Sequence, residues 1–159
     1  MDYFIILEDI LLTKLPKEKF IKFDKFYKLF LENKLIFDHN YRALDLENPS
    51  YNDFLSIVKP TKLPPIKNFK TKEGKKYLIH TILHIEYSAV DLALDAALRY
   101  QNMPFEFYRD WLEVANDEIR HFLMLEKLLK DLNGFYGEFA VHKNLFEAMQ
   151  QNPDLLSRM

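Results

Sequence analysis

Two long stretches without helix-breaking residues, separated by a short link, constrain the fold of this chain most. Residues 72–101 contain no proline, and their one glycine, Gly74, lies near the start. The alanines and leucines of this stretch favour a helix, which would extend about 45 Å at ~1.5 Å per residue. A second stretch begins at Pro104, which suits the first turn of a helix, and ends at Leu132 before the typical helix stop Asn133-Gly134. A link of about 2–4 residues predicts two antiparallel neighbouring helices.

The residues before this helix pair also favour helical structure. Residues 1–12 are apolar and fit either a short helix or a strand. Residues 17–33 have the three- and four-residue spacing of an amphipathic helix, and acidic residues among its lysines favour packing on the rest of the domain over a membrane surface. A short helical turn is expected over residues 53–58. The apolar face of the amphipathic helix is aromatic and contains Phe20, Phe23, Phe26, Tyr27, Phe30 and Leu31.

Prolines divide the chain between these two regions. Pro60, Pro64 and Pro65 lie within six residues, and three prolines so close together cannot occupy a helix interior. The sequence therefore predicts an all-α protein in three parts. These parts are an N-terminal helical arm over residues 1–58, an extended proline-rich connector over residues 59–71, and a helix pair over residues 72–159 with a tail that holds a short helix near residues 145–150.

Composition excludes several classes of function. The chain has no cysteine, which excludes disulfides, thiolate nucleophiles, iron–sulfur clusters and cysteine-based zinc sites. The formal net charge is only −2, so we expect neither nucleic acid nor a membrane as a partner. The N-terminus lacks the basic region of a secretory signal, and no stretch approaches the roughly 18–20 apolar residues of a membrane span. We therefore expect a cytoplasmic protein.

A glutamate interrupts the apolar side of the first long helix. At ~100° per residue, Glu86 falls in the middle of a stripe of isoleucine, leucine, valine and alanine. An ionised carboxylate removed from water without a partner costs several kcal/mol, so Glu86 must be paired, protonated or bound to a metal. The stripe consists of Ile79, Ile82, Leu83, Ala89, Val90, Ala93 and Ala97.

The second long helix repeats this anomaly. Glu118 lies among its apolar residues, and His121 follows one turn later on the same side. Residues three apart are neighbours on a helix, so a carboxylate oxygen and an imidazole nitrogen at this spacing can reach one metal ion. A glutamate from the facing helix together with Glu-x-x-His is half of the ligand set of a di-iron or di-manganese carboxylate bundle. The apolar side contains Trp111, Val114, Ala115, Phe122, Leu125 and Leu129.

From the pattern alone, a metal site and a buried ion pair or hydrogen-bond network are equally good interpretations of these three residues. In the second case Arg99 or Arg120 would supply charge balance. A second polar stripe lies roughly opposite Glu86, and we expect it to pack against the arm or the tail rather than to bind a second metal ion. It contains His80, His84, Asp91 and Asp95. His39 and His142 are isolated, and we expect structural roles for both.

Residues 80–96 and 107–122 resemble the first two helices of the DUF455 family of ferritin-like proteins. Tyr136-Gly137, His142 and Leu145-Phe146 resemble the segment that follows those helices. The resemblance implies a ferritin-like helical bundle with Glu86, Glu118 and His121 as metal ligands, and with iron or manganese as the cofactor. It implies no particular reaction or small-molecule substrate, since ferritin-like proteins include oxygenases, peroxidases and iron stores.

The chain departs from this family at its C-terminal end. Members usually continue with a second helix pair that has its own glutamate and Glu-x-x-His. This chain is either a fragment with an incomplete site or one half of a two-fold dimer that completes a four-helix bundle, and we favour the homodimer. The leading hypothesis for function is thus a metal-binding protein, with di-iron or di-manganese oxidoreductase chemistry as its more specific form. The alternative is a metal-free structural or interaction module.

Overall fold

The computed structural model describes residues 1–65 and 68–158, and their regular structure is helical throughout. Two short 3₁₀ helices, Ser50–Asp53 and Pro60–Lys62, lie between the second and third α-helices. The predicted all-α class is therefore confirmed. The α-helices are α1 (Tyr3–Leu12), α2 (Pro16–Leu31), α3 (Lys72–Arg99), α4 (Phe105–Asp131), α5 (Asn144–Gln151) and α6 (Leu155–Arg158).

The predicted antiparallel pair is formed by α3 and α4. The rings of Tyr100 and Phe107 have centroids 6.2 Å apart near the link, and those of Tyr87 and Phe122 are 5.6 Å apart further along the pair. The helices are therefore antiparallel: as the residue number increases along α3, the number of the residue that it contacts in α4 decreases. The two numbers of each contacting pair add up to nearly the same value. This register determines which side chains of the two helices meet.

The ends of α4 follow from local sequence. Pro104 is the N-terminal cap, one residue before the first turn where it was predicted. At the other end Asn133 adopts a left-handed φ of 60°, and the Gly134 N–H donates to the Leu129 carbonyl at 2.9 Å. An added Cβ on Gly134 would lie 2.7 Å from the Leu129 side chain, so a larger residue would force a shift there. The predicted stop at Asn133-Gly134 is confirmed as a Schellman-type cap.

Helix α2 packs its aromatic face against both α1 and α4. Phe20 contacts Phe122 with ring centroids 5.1 Å apart, and Phe30 stacks on Phe105 at 4.9 Å. The predicted face is confirmed for its four phenylalanines, which are buried, while Tyr27 is partly buried. Leu31 is an exception at 58% exposure, because the helix ends there and its last side chain extends into solvent.

Residues 3–12 form a helix, which settles the choice between helix and strand that the sequence left open for residues 1–12. The Asp2 carboxylate caps α1 by accepting from the backbone N–H groups of Phe4 and Ile5. Tyr3 is fully buried, and its hydroxyl donates to the Ala97 carbonyl of α3 at 3.2 Å. The arm and the helix pair therefore contribute to one hydrophobic core.

Residues 56–58, at the end of the N-terminal arm, and the tail that follows α4 lie side by side on the helix pair. The N–H of Val58 donates to the carbonyl of Val141, and the N–H of Val141 donates to the carbonyl of Ser56, both at 2.8 Å. The helical turn predicted over residues 53–58 is wrong, because the turn lies earlier, at Ser50–Asp53, and residues 56–58 pair with the tail. The short helix predicted near residues 145–150 is confirmed as α5.

The proline-rich connector differs in part from its prediction. A 3₁₀ helix begins at Pro60, where the fixed φ of proline suits the first turn. Ile66 and Lys67 of this connector, and the C-terminal Met159, lie outside the described residues. Within the part of the chain that the structure describes, no helix is both long enough and apolar enough to span a bilayer.

Candidate metal site on the helix pair

The antiparallel register brings the three predicted ligands together. Glu86 of α3 lies opposite His121 of α4, and Glu118 lies one turn before His121 on the same side. One carboxylate oxygen from each glutamate and one imidazole nitrogen all lie within 4.8 Å of one another. The two helices thus present three potential donor atoms to a single point.

Hydrogen bonds and close contacts join the three side chains. Nδ1 of His121 lies 3.2 Å from a carboxylate oxygen of Glu118 and 3.6 Å from one of Glu86. The pKa of Glu86 is raised to about 7, chiefly by a hydrogen bond with Glu118 and secondly by burial. The hydrogen bond to Glu118 likewise raises the pKa of His121. Two neighbouring carboxylates repel each other, so a proton or a cation between them stabilises the cluster.

The site lies at a partly open surface of the helix pair. The side chains of Glu86 and Glu118 are each 22% exposed, and that of His121 is 42% exposed. The sequence predicted a buried apolar face at these positions, whereas the structure leaves the three side chains partly exposed. The deep core lies on the other side of the pair, where α1 and α2 cover it, and the ligand side has no such cover from the described residues.

Partly exposed apolar side chains occur within two turns of the ligands along both helices. Ile85 of α3 is 43% exposed, and Val114 and Leu128 of α4 are 40% and 51% exposed. Val114 comes one turn before Glu118, and Leu128 two turns after His121. We call the surface formed by these three apolar residues and the three ligands the open face.

The donor set fits a first-row divalent metal ion. Carboxylate oxygen and imidazole nitrogen are the protein ligands of iron and manganese in carboxylate-rich helical sites. Two carboxylates in contact need either a shared proton or a cation between them, and the partial exposure leaves room for water to complete a coordination shell. Glu86, Glu118 and His121 are the residues that would hold such an ion.

The second polar stripe packs against the tail, as predicted. Nδ1 of His84 lies 2.7 Å from the Tyr136 hydroxyl, and Nε2 lies 2.8 Å from the His142 carbonyl. Nε2 of His80 accepts from the Gly137 N–H at 3.0 Å. Because these nitrogens already have protein partners, His80 and His84 are structural.

The same stripe packs against the arm at its other end. Asp91 accepts from the ammonium of Lys19 and from the Ser50 hydroxyl, the latter at 2.6 Å. Asp95 pairs with Arg99 at 2.6 Å, as its four-residue spacing predicted. Lys19 is fully buried, and sequence reasoning missed it because no local pattern marks a lysine whose partner is 72 residues away.

The isolated histidines have structural roles, as predicted. Nδ1 of His39 accepts from the Asn102 N–H at 3.0 Å and so supports the link between α3 and α4. Nδ1 of His142 accepts from the Asn144 N–H at 3.3 Å at the start of α5. Sequence reasoning also gave Tyr136 no role beyond the family resemblance, although its hydroxyl orients His84.

We expect acid to destabilise the protein through His80. Burial lowers the pKa of His80 to about 4, below its ordinary value of 6.5. The folded state therefore binds fewer protons than the unfolded state between these values, and stability is lost as pH falls from about 6.5 towards 4. The loss through this residue should reach about 3 kcal/mol.

Urea denaturation at pH 7 and at pH 4.5 checks this expectation in wild type and in His80→Gln. Glutamine offers an amide oxygen to the Gly137 N–H but does not titrate. The variant should lose clearly less stability than wild type on acidification. Equal losses in both proteins would contradict the assignment.

Comparisons with known proteins identify similar sequences but provide no reaction. A family model described as "Protein of unknown function (DUF455)" matches residues 12–159. An uncharacterized protein of Haemophilus influenzae is 38% identical over 111 residues, which cover 65% of this chain and 38% of that protein. The chain thus spans about two fifths of the length of this relative. No solved structure matches the chain.

Proposed function

We propose that this chain, which belongs to the DUF455 family of proteins of unknown function, binds a divalent iron or manganese ion through Glu86, Glu118 and His121. The observation that carries the proposal is the approach of the three donor atoms to within 4.8 Å of one another. They come from two helices and from positions 32 and 35 residues apart. Side chains on a solvated surface do not have to converge in this way, whereas the ligands of a bound cation must.

The chemistry of the ligands supports an oxidoreductase as the more specific form of this proposal. Carboxylates neutralise the charge of the ion and tolerate changes in its oxidation state, and iron or manganese supplies one-electron redox chemistry with dioxygen or peroxide. Glu86 and Glu118 would hold the ion between α3 and α4, and His121 would add a neutral nitrogen ligand. The partial exposure of His121 would let a small substrate approach the same point.

A metal-free polar network is the second candidate, and one contact favours it. The 3.2 Å contact between His121 and Glu118 can serve as a hydrogen bond within a purely structural cluster. The charge balance predicted for this alternative is wrong, however. Arg120 pairs with Asp117 and Arg99 pairs with Asp95.

Manganese titration of the purified chain distinguishes the two candidates. Free Mn²⁺ has a strong solution EPR signal, so its decrease on adding protein measures binding. We expect wild type to bind one ion per chain at pH 7.5. Glu118→Gln should weaken binding by about 100-fold or more, because it replaces a ligand carboxylate by a neutral amide of the same size.

Glu126→Gln is the matched control for this titration. Glu126 lies two turns further along α4, where it pairs with Lys130, and its loss should leave Mn²⁺ affinity unchanged. Absence of binding by wild type, or equal affinity in wild type and Glu118→Gln, would reject the metal site in favour of the polar network. Binding of iron is tested with the same proteins under anaerobic conditions, and elemental analysis measures the iron that each protein retains.

A further inference from the structure

We propose that the groove between α2 and α4 binds an acidic amphipathic helix of a partner protein. Residues 16–25 of α2 and 116–130 of α4 contribute the lining of this groove, whose volume is about 810 Å³. At ~100° per residue, Leu123 in the groove lies about 140° and 160° around α4 from Glu118 and His121. The groove is therefore on the other side of α4 from the open face, and the inference is independent of the proposed metal site.

The groove has a buried apolar floor and exposed apolar walls. Phe20 of α2 and Ile119 and Phe122 of α4 line it and are at most 9% exposed. On the walls, Ile21 of α2 is 50% exposed and Leu123 of α4 is 51% exposed. Apolar side chains of a partner that lie between these walls would remove this surface from water, which is favourable.

The length of the walls suits a helix of about three to four turns. The lining residues extend over residues 16–25 on α2 and over residues 116–130 on α4. At ~1.5 Å per residue these spans are about 14 Å and 21 Å long. A helix along such a groove would place its apolar side chains on one face, at positions i, i+3, i+4 and i+7, as in other helix-in-groove complexes.

The charge that remains uncompensated along the groove is positive. Lys17 and Lys25 line it one turn before and one turn after Ile21, and neither has an ion pair with the residues that the structure describes. The other charged lining residues are already paired, namely Arg120 with Asp117, Lys130 with Glu126, and Asp24 with Lys28. This local excess of positive charge contrasts with the formal net charge of −2 of the whole chain.

These charges select an acidic partner. Glutamates or aspartates beside the apolar stripe of a bound helix would meet Lys17 and Lys25, whereas a helix with lysines at the same positions would be repelled. An anionic membrane surface fits less well. A flat surface would not reach the buried floor, and Asp24 and Glu126 at the groove would repel its lipid headgroups.

Synthetic helices test the groove directly. The probes are fluorescein-labelled, stapled peptides of about 18 residues, longer than the longer wall. They have leucine, isoleucine, methionine or phenylalanine at the apolar positions, and glutamate beside this stripe. Fluorescence anisotropy in EDTA measures binding to the full chain without metal. We expect the best acidic peptide to bind at least about 10-fold more tightly than the same peptide with lysine in place of glutamate.

Two variants with matched controls locate the binding. Leu123→Asp should weaken binding of the acidic peptide at least about 10-fold. Leu128→Asp makes the same change on the open face of the same helix, at the same 51% exposure, and should bind like wild type. Circular dichroism establishes that both variants keep the helical content of wild type.

Reversal of the groove charge is the second change. Lys17→Glu with Lys25→Glu should reverse the preference, so that the lysine peptide binds more tightly than the acidic one. Lys72→Glu with Lys75→Glu reverses two exposed lysines of α3 outside the groove and should keep the preference of wild type.

The possible failures have distinct results. The proposal is overturned if no acidic peptide binds, if acidic and lysine peptides bind equally, or if Leu123→Asp binds like wild type. Binding of dodecanoate or of phosphatidylserine vesicles that Leu123→Asp abolishes, without peptide binding, would assign the groove to a fatty acid or a membrane instead. A dimer of wild type that Leu123→Asp dissociates in light scattering would assign it to a second copy of the chain.

Discussion

Asp91→Asn should lower the free energy of unfolding by about 3–5 kcal/mol, because it leaves the buried ammonium of Lys19 without a charged partner. Lys19 is fully buried and donates to Asp91 and, at 2.8 Å, to Ser50. Burial lowers the pKa of Lys19, and the neighbouring Asp91 carboxylate opposes that shift. Asparagine keeps the size and shape of the side chain, so the loss would report charge rather than a cavity. Urea denaturation followed by circular dichroism measures it.

Two further variants establish that the loss comes from a buried charge. Lys19→Met in combination with Asp91→Asn removes the charge as well as its partner, and should recover most of the stability that Asp91→Asn loses. Asp24→Asn breaks a surface ion pair between Lys28 and Asp24 in the same helix and should cost less than about 0.5 kcal/mol. A loss below about 1 kcal/mol in Asp91→Asn would contradict the expectation.

Phe122→Ala should cost about 3–5 kcal/mol, the usual loss when a fully buried phenylalanine is truncated. Phe122 is 1% exposed and lies where three segments meet. Its ring centroid is 5.1 Å from that of Phe20 in α2, 5.6 Å from that of Tyr87 in α3 and 5.3 Å from that of Tyr136 in the tail. Removal of the ring therefore leaves a cavity that three elements border, and no single side chain can fill it by a change of rotamer.

The same substitution at an exposed position is the control. Phe135 is 60% exposed, and Phe135→Ala should change the free energy of unfolding by less than about 1 kcal/mol. Phe122→Leu keeps most of the buried volume and should lose about 1–2 kcal/mol. Similar losses in Phe122→Ala and Phe135→Ala would show that Phe122 does not join the three segments.

The helix pair could be predicted because its signals are local. The absence of proline over residues 72–101, the proline at 104 and the Asn133-Gly134 stop each act within a turn or two of their own position. The aromatic spacing of α2 is equally local. The structure differs at the edges, as at Leu31, where helical periodicity indicates a face but does not show where its cover ends.

The pairing of Lys19 with Asp91 could not be predicted, because its cause is non-local. Lysines on both sides of Lys19 extend into solvent, and nothing in the local pattern distinguishes Lys19 from them. Burial of this one depends on a carboxylate of α3 that reaches it only after the arm folds onto the helix pair. The local pattern indicates the polar stripe at Asp91, but it does not indicate which basic side chain will pair with the Asp91 carboxylate.

The candidate site falls between these cases. Periodicity placed Glu86, Glu118 and His121 on the facing sides of two helices, and the antiparallel link predicted that the helices meet. Periodicity overestimated the burial of these three side chains, because a helical wheel shows the direction of a side chain but not the amount of protein packed on it. The exposure of Ile85 and Leu128 depends on where α1, α2 and α5 pack, which is a property of the whole fold.

The three ligands come together only in one register of α3 and α4, so the cluster is sensitive to the alignment of these helices. A slip of one helical turn would displace one helix by about 5.4 Å along the other, more than the 4.8 Å that spans the donor atoms. A slip of one residue would rotate Glu118 and His121 about 100° away from Glu86. An ion held by all three residues would thus select one alignment of the helix pair over every neighbouring one.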